Sequence, residues 1–249
     1  MTPELPVLLA LAGVAFAAGT IDAIAGGGGL VTVPALLAAG LPPHLALGTN
    51  KAQSVLGALT SMLRYWRAGL VDARQAKVAL PAGALGALAG AALVLQLDPA
   101  VLKPVILGLL LAAGGFMVAY RPGASRGAPT LGKALGVALL IGAYDGFFGP
   151  GTGTFLIIAF VGLMGRTLEQ ATADAKVVNF ASNAATVGLM AFAGKVLWPI
   201  ALPMAVGQIA GGYFGASLGI KGGARLIRPV VVSVVVALVL KLSYELWTR

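Results

Sequence analysis

The sequence predicts an all-α polytopic membrane protein made of two inverted-topology repeats, each with about five helical segments. Three observations support this fold class. Hydrophobic residues are 59% of the 249 residues, charged residues only 10%, and the mean hydropathy is +0.95. Apolar runs of about 18 to 24 residues, long enough to cross a bilayer, follow one another along the chain. Asp22 and Lys51 recur as Asp145 and Lys176, a spacing of about 125 residues that indicates a duplicated unit.

Five apolar runs fill the first half, which we expect to be one membrane repeat over residues 1–120. The first run has Glu4 and no basic residue before it, unlike a signal peptide, and it has a counterpart in the second half, so we expect it to stay in the mature protein. The second run is too short for an upright crossing at 1.5 Å per residue, and is a short arm of a broken helix or a re-entrant piece. The runs are 5–24, 29–40, 44–65, 75–97 and 99–120.

The second half repeats this pattern and is the predicted second repeat, residues 131–249, after a linker at 121–130. Its second run is again the short one. Each repeat therefore has a glycine-broken short segment, which we count as a crossing because an inverted repeat requires an odd number of crossings. The runs are 131–148, 151–164, 168–193, 197–220 and 226–247.

Loop charges indicate that the two repeats have opposite orientations. The loop after the third segment is strongly basic in the first half, whereas the matching loop of the second half has only Lys195. At the next loop the bias reverses. Positive loops face the cytoplasm, so these loops and the linker are expected there, with Lys195 and both termini on the outer side of the membrane. The basic residues are Arg64, Arg67, Arg74 and Lys77 in the first half and Lys221, Arg225 and Arg228 in the second.

The composition excludes several classes of function. The chain has no cysteine, so it has no disulfide, thiol nucleophile or Cys-ligated metal, and its single histidine, His44, marks a helix start beside two prolines. Most basic residues lie in short loops, where the net charge of +9 orients the chain and does not indicate nucleic-acid binding. No Walker-type phosphate loop is present. We expect no metal, no cofactor and no ATP-driven transport within this chain.

A lysine lies deep inside an apolar helical segment in each half. Lys51 and Lys176 each lie about 10 Å along the helix from the start of their segment. Burying an ammonium in a membrane costs at least about 2.5 to 3.5 kcal/mol, so each lysine is a functional-site hypothesis. The alternative is a purely structural bridge, in which Lys51 pairs with Asp22, and Lys176 pairs with Asp145 or Asp174.

Hydrogen-bonding side chains accompany both lysines. Residues three, four or seven positions apart share a helix face, so Ser54 lies beside Lys51, and Asn179 and Asn183 lie beside Lys176. Hydroxyl and amide groups suit a small oxyanion better than an apolar ligand. The predicted polar binding residues are Thr49, Asn50, Gln53, Ser54, Asn179 and Asn183.

Clusters of glycine at residues 26–29 and 149–153 precede the two short segments. Such runs can unwind a helix and let the backbone approach a ligand, and the new helix start then offers free N–H groups to an anion. Close helix packing is the alternative, and it fits the scattered glycines of later segments better. The predicted backbone ligands are Gly27, Gly28, Gly29, Gly151, Thr152, Gly153 and Thr154.

Asp22 and Asp145 end the segments just before these breaks. A buried carboxyl group beside an anion site can carry a proton, so both are candidates for proton coupling. A nearby lysine favours the ionised form and opposes that role. The sequence leaves open whether they are proton carriers or structural partners of the lysines.

The motifs around these residues resemble the TauE/SafE sulfite-exporter family, also called the toluene sulfonate uptake permease family. The likeness covers almost the whole chain, through residues 19–29, 48–51, 146–153 and 176–179. The resemblance implies a bacterial inner-membrane permease for anionic sulfur compounds such as sulfite, sulfonates or sulfoacetate. Members differ in substrate and in direction of transport. The second copy has Asp-Ala-Lys where the first has Thr-Asn-Lys, so the two lysines need not be functionally equal.

Together these features favour a secondary transporter that binds a small sulfur-containing oxyanion through two lysines, polar side chains and backbone N–H groups. Its expected partners are the small anion, the lipid bilayer and coupled protons, with a homo-oligomer left open and no nucleic acid. An anion channel would use the same groups without alternation. An intramembrane enzyme lacks a His, Cys or metal cluster here, and a purely structural membrane subunit gives the paired lysines no evident use.

Overall fold

The computed structural model describes residues 4–102, 104–106, 108–109 and 128–247, with side chains up to residue 223 and at Leu226. This part of the chain consists of helices joined by short turns and has no β-strand, which confirms the all-α class. Helical backbone begins again at residue 99. Most of the predicted segment 99–120 and of the linker 121–130 lies outside the described residues.

The limits of the helices follow the apolar runs of the sequence. Helices α1 to α4 belong to the first half of the chain and α5 to α8 to the second. Helix α8 covers the last two predicted segments, and its backbone is broken at Gly223, where φ is 50° and ψ is −147°. The helices are α1 (Leu5–Ala25), α2 (Gly29–Ala38), α3 (Pro43–Arg67), α4 (Ala73–Leu95), α5 (Leu131–Phe147), α6 (Thr152–Met164), α7 (Leu168–Phe192) and α8 (Trp198–Trp247).

Prolines and side-chain caps determine where several helices begin. Pro6 and Pro43 lie in the first turns of α1 and α3, where the missing N–H of proline breaks no helical hydrogen bond. At the start of α7, Thr167 and Gln170 exchange side-chain to backbone hydrogen bonds in a capping box. The Asp72 carboxylate accepts backbone N–H groups in the first turn of α4. Local sequence therefore sets these boundaries.

Small residues bring two helix pairs into close contact, α1 with α8 and α4 with α5. A methyl group at Gly211 of α8 would lie 2.1 Å from the carbonyl oxygen of Phe16 in α1. A methyl group at Gly90 of α4 would lie 2.0 Å from the carbonyl oxygen of Ala143 in α5. Backbones can approach this closely only at glycine. The scattered glycines thus have the packing role that the sequence assigned to them.

The two lysine-bearing helices, α3 and α7, pack antiparallel to each other. Near the start of α3, the Thr49 hydroxyl accepts the N–H of Leu197, just beyond the end of α7, at 3.0 Å. Near the start of α7, the Asp174 carboxylate accepts the N–H of Asp72, just beyond the end of α3, at 3.1 Å. Each of these helices therefore begins where the other ends.

Apart from the two glycine breaks, the described loops lie at two opposite ends of the helix bundle. At one end, Arg166 after α6 lies 3.1 Å from Asp72 before α4, and the Lys133 ammonium at the start of α5 donates to a backbone carbonyl of α6. At the other end, a methyl group at Gly48 would lie 2.0 Å from the carbonyl oxygen of Lys195. The loops after α3 and α7 thus lie at opposite ends.

The outer surface of the bundle suits a lipid environment. By length and composition, α1 and α4 could each span a membrane, and α2 and α6 are apolar but shorter. Large apolar side chains point outward, including Leu140 at 73% exposure and Phe192 at 92%. In contrast, α3 and α7 bury polar side chains in the middle of the molecule. The polar groups thus lie inside and the apolar groups outside, the pattern of a membrane protein.

Candidate functional site

The two glycine breaks, one from each half, meet in the interior. Gly26 follows the last residue of α1 with φ of 82°, and Gly151 precedes α6 with φ of 85°, conformations that favour glycine. A methyl group on Gly26 would lie 2.2 Å from the carbonyl carbon of Gly153, so the two backbones touch. The Thr154 N–H donates to the Gly26 carbonyl at 3.3 Å. The two breaks therefore form a single centre.

Each buried lysine pairs with the aspartate of the other half. The Lys51 ammonium lies 2.6 Å from Asp145 Oδ1, and the Lys176 ammonium lies 3.0 Å from Asp22 Oδ2. The Lys176 ammonium also donates to the backbone carbonyl of Asp22. The alternative pairing considered from the sequence is wrong, because the antiparallel packing of α3 and α7 turns each lysine toward the break of the opposite half.

The four charged groups are buried to different degrees. Lys51 and Asp145 have only 3% and 5% of their side-chain surface exposed. Lys176 is fully buried, whereas 25% of the Asp22 side chain is exposed. With all four groups ionised the cluster has no net charge. Pairing offsets the cost of burying each charge, and removal of one partner leaves the other uncompensated.

The two aspartates also differ in their hydrogen bonds. Besides its lysine, Asp145 receives the Thr152 hydroxyl at 2.8 Å on Oδ1 and the Ser182 hydroxyl on Oδ2. Asp22 receives its lysine and one long bond, 3.3 Å, from the Gly28 N–H. Asp145 is thus the more tightly held carboxylate.

A polar cavity of about 30 Å³ lies between the breaks and the two lysine-bearing helices. A cavity of this size has room for about one or two water molecules. Both halves of the chain contribute to its lining, and most of the binding residues predicted from the sequence are among the lining residues. These are Asp22, Gly26, Gly28, Gly29, Asn50, Lys51, Ser54, Asp145, Gly149, Thr152, Gly153, Asn179, Asn183 and Gln208.

Six of the predicted residues do not line the cavity. Several of them form hydrogen bonds to the residues or helix ends that surround it. Gln53 donates to Asn50 Oδ1 at 3.0 Å and to Ser54 Oγ at 2.9 Å. Thr154 Oγ1 donates to a carbonyl at the end of α1 at 2.7 Å, and Thr49 accepts the N–H beyond α7. The six residues are Lys176, Thr49, Gln53, Gly27, Gly151 and Thr154.

Helix α8 contributes a lining residue, Gln208, that the sequence analysis missed. Its amide oxygen would lie 2.7 Å from methyl groups placed on Gly19 and on Gly57, so these two glycines make room for the glutamine side chain. A polar residue within the apolar run 197–220 was the available signal. Nothing near Gln208 in the sequence links it to the lysine motifs, because the contact depends on how α8 packs.

Three amide side chains in the cavity wall have hydrogen-bonding capacity to spare. Within the described part of the chain, Asn183 and Gln208 make no hydrogen bond, and Asn179 Oδ1 has no partner. Asn50 differs, because its Oδ1 accepts from Thr32 and from the neighbouring glutamine. Buried amides are normally satisfied by protein, water or ligand. The side-chain amides of Asn183 on α7 and Gln208 on α8 are therefore the least satisfied of the four.

Backbone and charged donors complete the site. The N–H groups of Gly29 and Gly153, at the first turns of α2 and α6, make no hydrogen bond within the described residues. The Lys51 ammonium has three N–H donors and one acceptor, Asp145. Charged and amide N–H donors that converge in this way can bind a small oxyanion. Among the described residues, no three His, Asp or Glu side chains are placed to hold a metal ion.

Comparison with known proteins gives close relatives along nearly the full chain. A probable membrane transporter protein of Haemophilus influenzae is 41% identical over 236 residues, which cover 93% of this chain and 92% of that protein. Probable membrane transporter protein ORF9 of a Sinorhizobium species is 42% identical over 234 residues, with 92% and 89% covered. Probable membrane transporter protein YfcA of Escherichia coli K12 is 38% identical over 244 residues, with 93% and 88% covered.

The family match agrees with these relatives. The family described as sulfite exporter TauE/SafE matches residues 11–242, and no solved structure matches the chain. The relatives are named as membrane transporters and not as enzymes. This chain belongs to the sulfite exporter TauE/SafE family of membrane transporters.

Proposed function

We propose that the protein is a secondary transporter that carries a small sulfur-containing oxyanion, of the sulfite, sulfonate or sulfoacetate class, across the bacterial inner membrane. The cavity between the two glycine breaks carries this proposal, because Lys51, three amides with spare capacity and two backbone N–H groups converge there. The lysine supplies charge and the amides orient the oxygen atoms of the anion. The family description, sulfite exporter, supports the substrate class.

The architecture that goes with this function is a pair of inverted repeats, residues 1–120 and 131–249, joined by a cytoplasmic linker. Three observations support it: the crosswise pairing of lysines with aspartates, the antiparallel packing of α3 and α7, and the similar glycine contacts of α1 with α8 and α4 with α5. In repeat-built transporters one half moves against the other around a central site. Substrate would then reach the cavity from one side at a time.

The orientation in the membrane follows from the loop charges. The end that contains Arg67, Asp72 and Arg166 would face the cytoplasm, and the end that contains Lys195 and both termini would face the periplasm. The contact between Arg166 and Asp72 places the loop after α6 beside the loop after α3, which is predicted to be cytoplasmic. The predicted cytoplasmic position near Gly127 lies outside the described residues.

The size of the cavity favours a carrier over an anion channel. A channel needs a continuous aqueous path, whereas this cavity has room for about one or two water molecules. Lys51 is also already bonded to Asp145. A sulfonate is larger than this cavity and can bind only if the site expands, which is the behaviour of a transporter that changes conformation around its substrate.

Thermal unfolding of the purified protein with sulfite, methanesulfonate, sulfoacetate, sulfate and acetate tests the proposal. A ligand that binds only the folded state raises its stability by mass action, so we expect a sulfur oxyanion to raise the unfolding midpoint more than acetate does. Flux of that anion in proteoliposomes should saturate and show counterflow. A linear flux without counterflow would favour a channel, equal effects of all anions would contradict the substrate class, and chemical change of the anion would favour an enzyme.

A further inference from the structure

The two copies of the site differ in the residues that surround their aspartate. In the second half, Thr152 and Ser182 each donate a hydroxyl hydrogen bond to Asp145. The repeat spacing of about 123 to 125 residues places Gly29 and Gly57 at the corresponding positions of the first half. Glycine has no side chain to donate. The duplicated positions therefore give the first-half aspartate two fewer hydroxyl donors.

Asp22 is consequently the less constrained carboxylate. Its donors are the Lys176 ammonium at 3.0 Å and the Gly28 N–H at 3.3 Å. A quarter of its side-chain surface is exposed, against 5% for Asp145. Each hydrogen bond donated to a carboxylate stabilises its ionised form, and contact with water gives a proton access to it. Both differences favour proton exchange at the first-half aspartate.

We propose that Asp22 is the carboxyl group that takes up and releases a proton during transport, and that Asp145 remains the ionised counter-ion of Lys51. This inference rests on the transport function proposed above and assigns its coupling step to one of two aspartates. Asp174, the other aspartate of α7, does not line the cavity and lies 2.8 Å from Arg166.

The groups around Asp22 are few. Asp22 faces Lys176 of α7. Lys51 of α3 and Asp145 of α5 line the same cavity. The hydroxyl of Tyr65 in α3 donates to the backbone carbonyl of Ala23, the residue after Asp22. The described parts of α2, α6 and α8 contribute no titratable side chain to the cavity. The charge balance of the cavity therefore depends on two lysines and two aspartates.

Proton and anion should bind together for an electrostatic reason. With all four groups ionised the cavity is neutral, and an added anion would make it negative. A proton on Asp22 leaves one lysine uncompensated, so the cavity becomes cationic and attracts the anion. By linkage, the anion also favours protonation of Asp22. Anion affinity should therefore be higher in acidic than in alkaline solution.

Infrared titration of the protein in lipid nanodiscs tests the assignment without substrate. A protonated carboxyl group absorbs at a different frequency from a carboxylate, so spectra between about pH 4 and pH 9 report which groups titrate. We expect a carboxylic acid band that is present in the wild type and in Asp145→Asn and is missing in Asp22→Asn. The opposite result would overturn the proposal, as would a spectrum that neither substitution changes.

Three further variants keep the test decisive if Asp22→Asn does not fold. Asp22→Glu keeps a carboxylate near Lys176 and should move the band to the frequency of a glutamic acid. Ser182→Ala removes a donor from Asp145 and should add a second titrating carboxyl group. Its control is Thr186→Val, which removes a buried hydroxyl without a hydrogen-bond partner from the same helix and should leave the spectrum unchanged. If Ser182→Ala also leaves it unchanged, the donors do not explain the asymmetry.

Flux in proteoliposomes separates this inference from the transport function. Methanesulfonate is a suitable probe because its sulfonate stays ionised throughout the pH range. A pH gradient, acidic on the side of the added anion, should drive accumulation by the wild type and not by Asp22→Asn. If the wild type does not transport methanesulfonate while the infrared assignment holds, the substrate proposal alone fails. If Asp22→Asn still accumulates the anion, the proton carrier is elsewhere.

Discussion

Lys51 and Lys176 occupy corresponding positions in the two repeats but use their N–H groups differently. The Lys51 ammonium donates to one acceptor and lines the cavity. The Lys176 ammonium donates twice to Asp22, once to the carboxylate and once to the backbone carbonyl in the last turn of α1. That carbonyl also accepts the Gly26 N–H at 2.8 Å, and a lysine near a helix C-terminus commonly makes such a contact. Lys51 therefore has more capacity for a ligand, and Lys176 more of a positioning role.

Lys51→Met should abolish the stabilisation by sulfur oxyanions, because methionine keeps most of the volume and removes the charge. Loss of one partner of a buried ion pair can cost about 3 to 5 kcal/mol, and here Thr152 and Ser182 still hold Asp145 and reduce the cost. Thermal unfolding with and without anion measures both effects. Lys195→Met, in the loop between α7 and α8, is the matched control and should respond like the wild type. A normal response of Lys51→Met would refute its role in binding.

Gln208→Leu should weaken anion binding about tenfold, because it removes one hydrogen bond to a charged ligand. The free protein should not lose stability, since the buried amide makes no hydrogen bond within the described residues. Gln75→Leu is the control, because Gln75 is also buried, has an unpartnered Nε2 and lies outside the cavity. The anion concentration that gives half-maximal stabilisation measures the affinity. Equal effects of both substitutions would show that Gln208 does not contact the anion.

At the scale of the helices, the positions of glycine determine which pairs of helices can pack with their backbones in contact. A methyl group at Gly90 would lie 2.0 Å from a backbone oxygen of α5, whereas one at Gly136 of α5 would meet no atom within 4 Å. Both are interior helix positions, where alanine is intrinsically favoured over glycine by about 1 kcal/mol. The effect of alanine at each position should therefore depend on the neighbouring helix.

Gly90→Ala should lower the free energy of unfolding by about 1 to 3 kcal/mol, because α4 and α5 must separate to relieve the overlap. Gly136→Ala should leave it unchanged or raise it by up to about 1 kcal/mol. Thermal unfolding of the two variants in the same detergent measures the difference. If Gly90→Ala is as stable as Gly136→Ala, close backbone contact does not hold α4 against α5.

Asp72 links the start of α4 to the loop after α6, outside the membrane segments. Hydrogen bonds from the Gln75 N–H, with a further contribution from the Arg166 guanidinium, hold the pKa of Asp72 below its ordinary value. Asp72→Ala should cost about 1 kcal/mol at neutral pH through loss of the cap. A lowered pKa stabilises the fold above the pKa of the unfolded chain, and this contribution is lost as pH falls through the folded pKa. The difference in stability between wild type and variant should therefore shrink at acidic pH.

The helix limits could be predicted from the sequence because hydropathy, glycine breaks and capping residues act locally. The sequence also identified Lys51, Lys176 and the two aspartates as one cluster. The structural-bridge alternative paired them within each half, because the sequence gave no measure of the angle between α3 and α7. The contact of Gln208 with the cavity could not be predicted for the same reason, since it depends on the space left by two distant glycines.

At the scale of the whole molecule, the two ends of the bundle are joined by different contacts. Where α3 ends and α7 begins, Arg166 bridges Asp72 and Asp174 at 3.1 and 2.8 Å. Where α7 ends and α3 begins, the described residues provide one hydroxyl bond between Thr49 and the N–H of Leu197. At both ends a side chain of one lysine-bearing helix accepts a backbone N–H from the loop after the other. Only the end with Arg166 adds ion pairs to this bond.

The orientation of these ends can be tested by single cysteines, because the chain has none of its own. We expect Lys195→Cys to react with a membrane-impermeant maleimide in intact cells, and Arg67→Cys to react only after the membrane is opened. Ala15→Cys, buried in α1, is the control for reagent that enters the protein and should stay unlabelled. Labelling of residues 67 and 195 from the same side would remove the inverted-repeat argument, because these loops follow corresponding helices. If residue 67 were labelled from outside and residue 195 from inside, the inverted repeats would still hold but the orientation would be reversed. The basic loops would then lie in the periplasm, against the positive-inside rule.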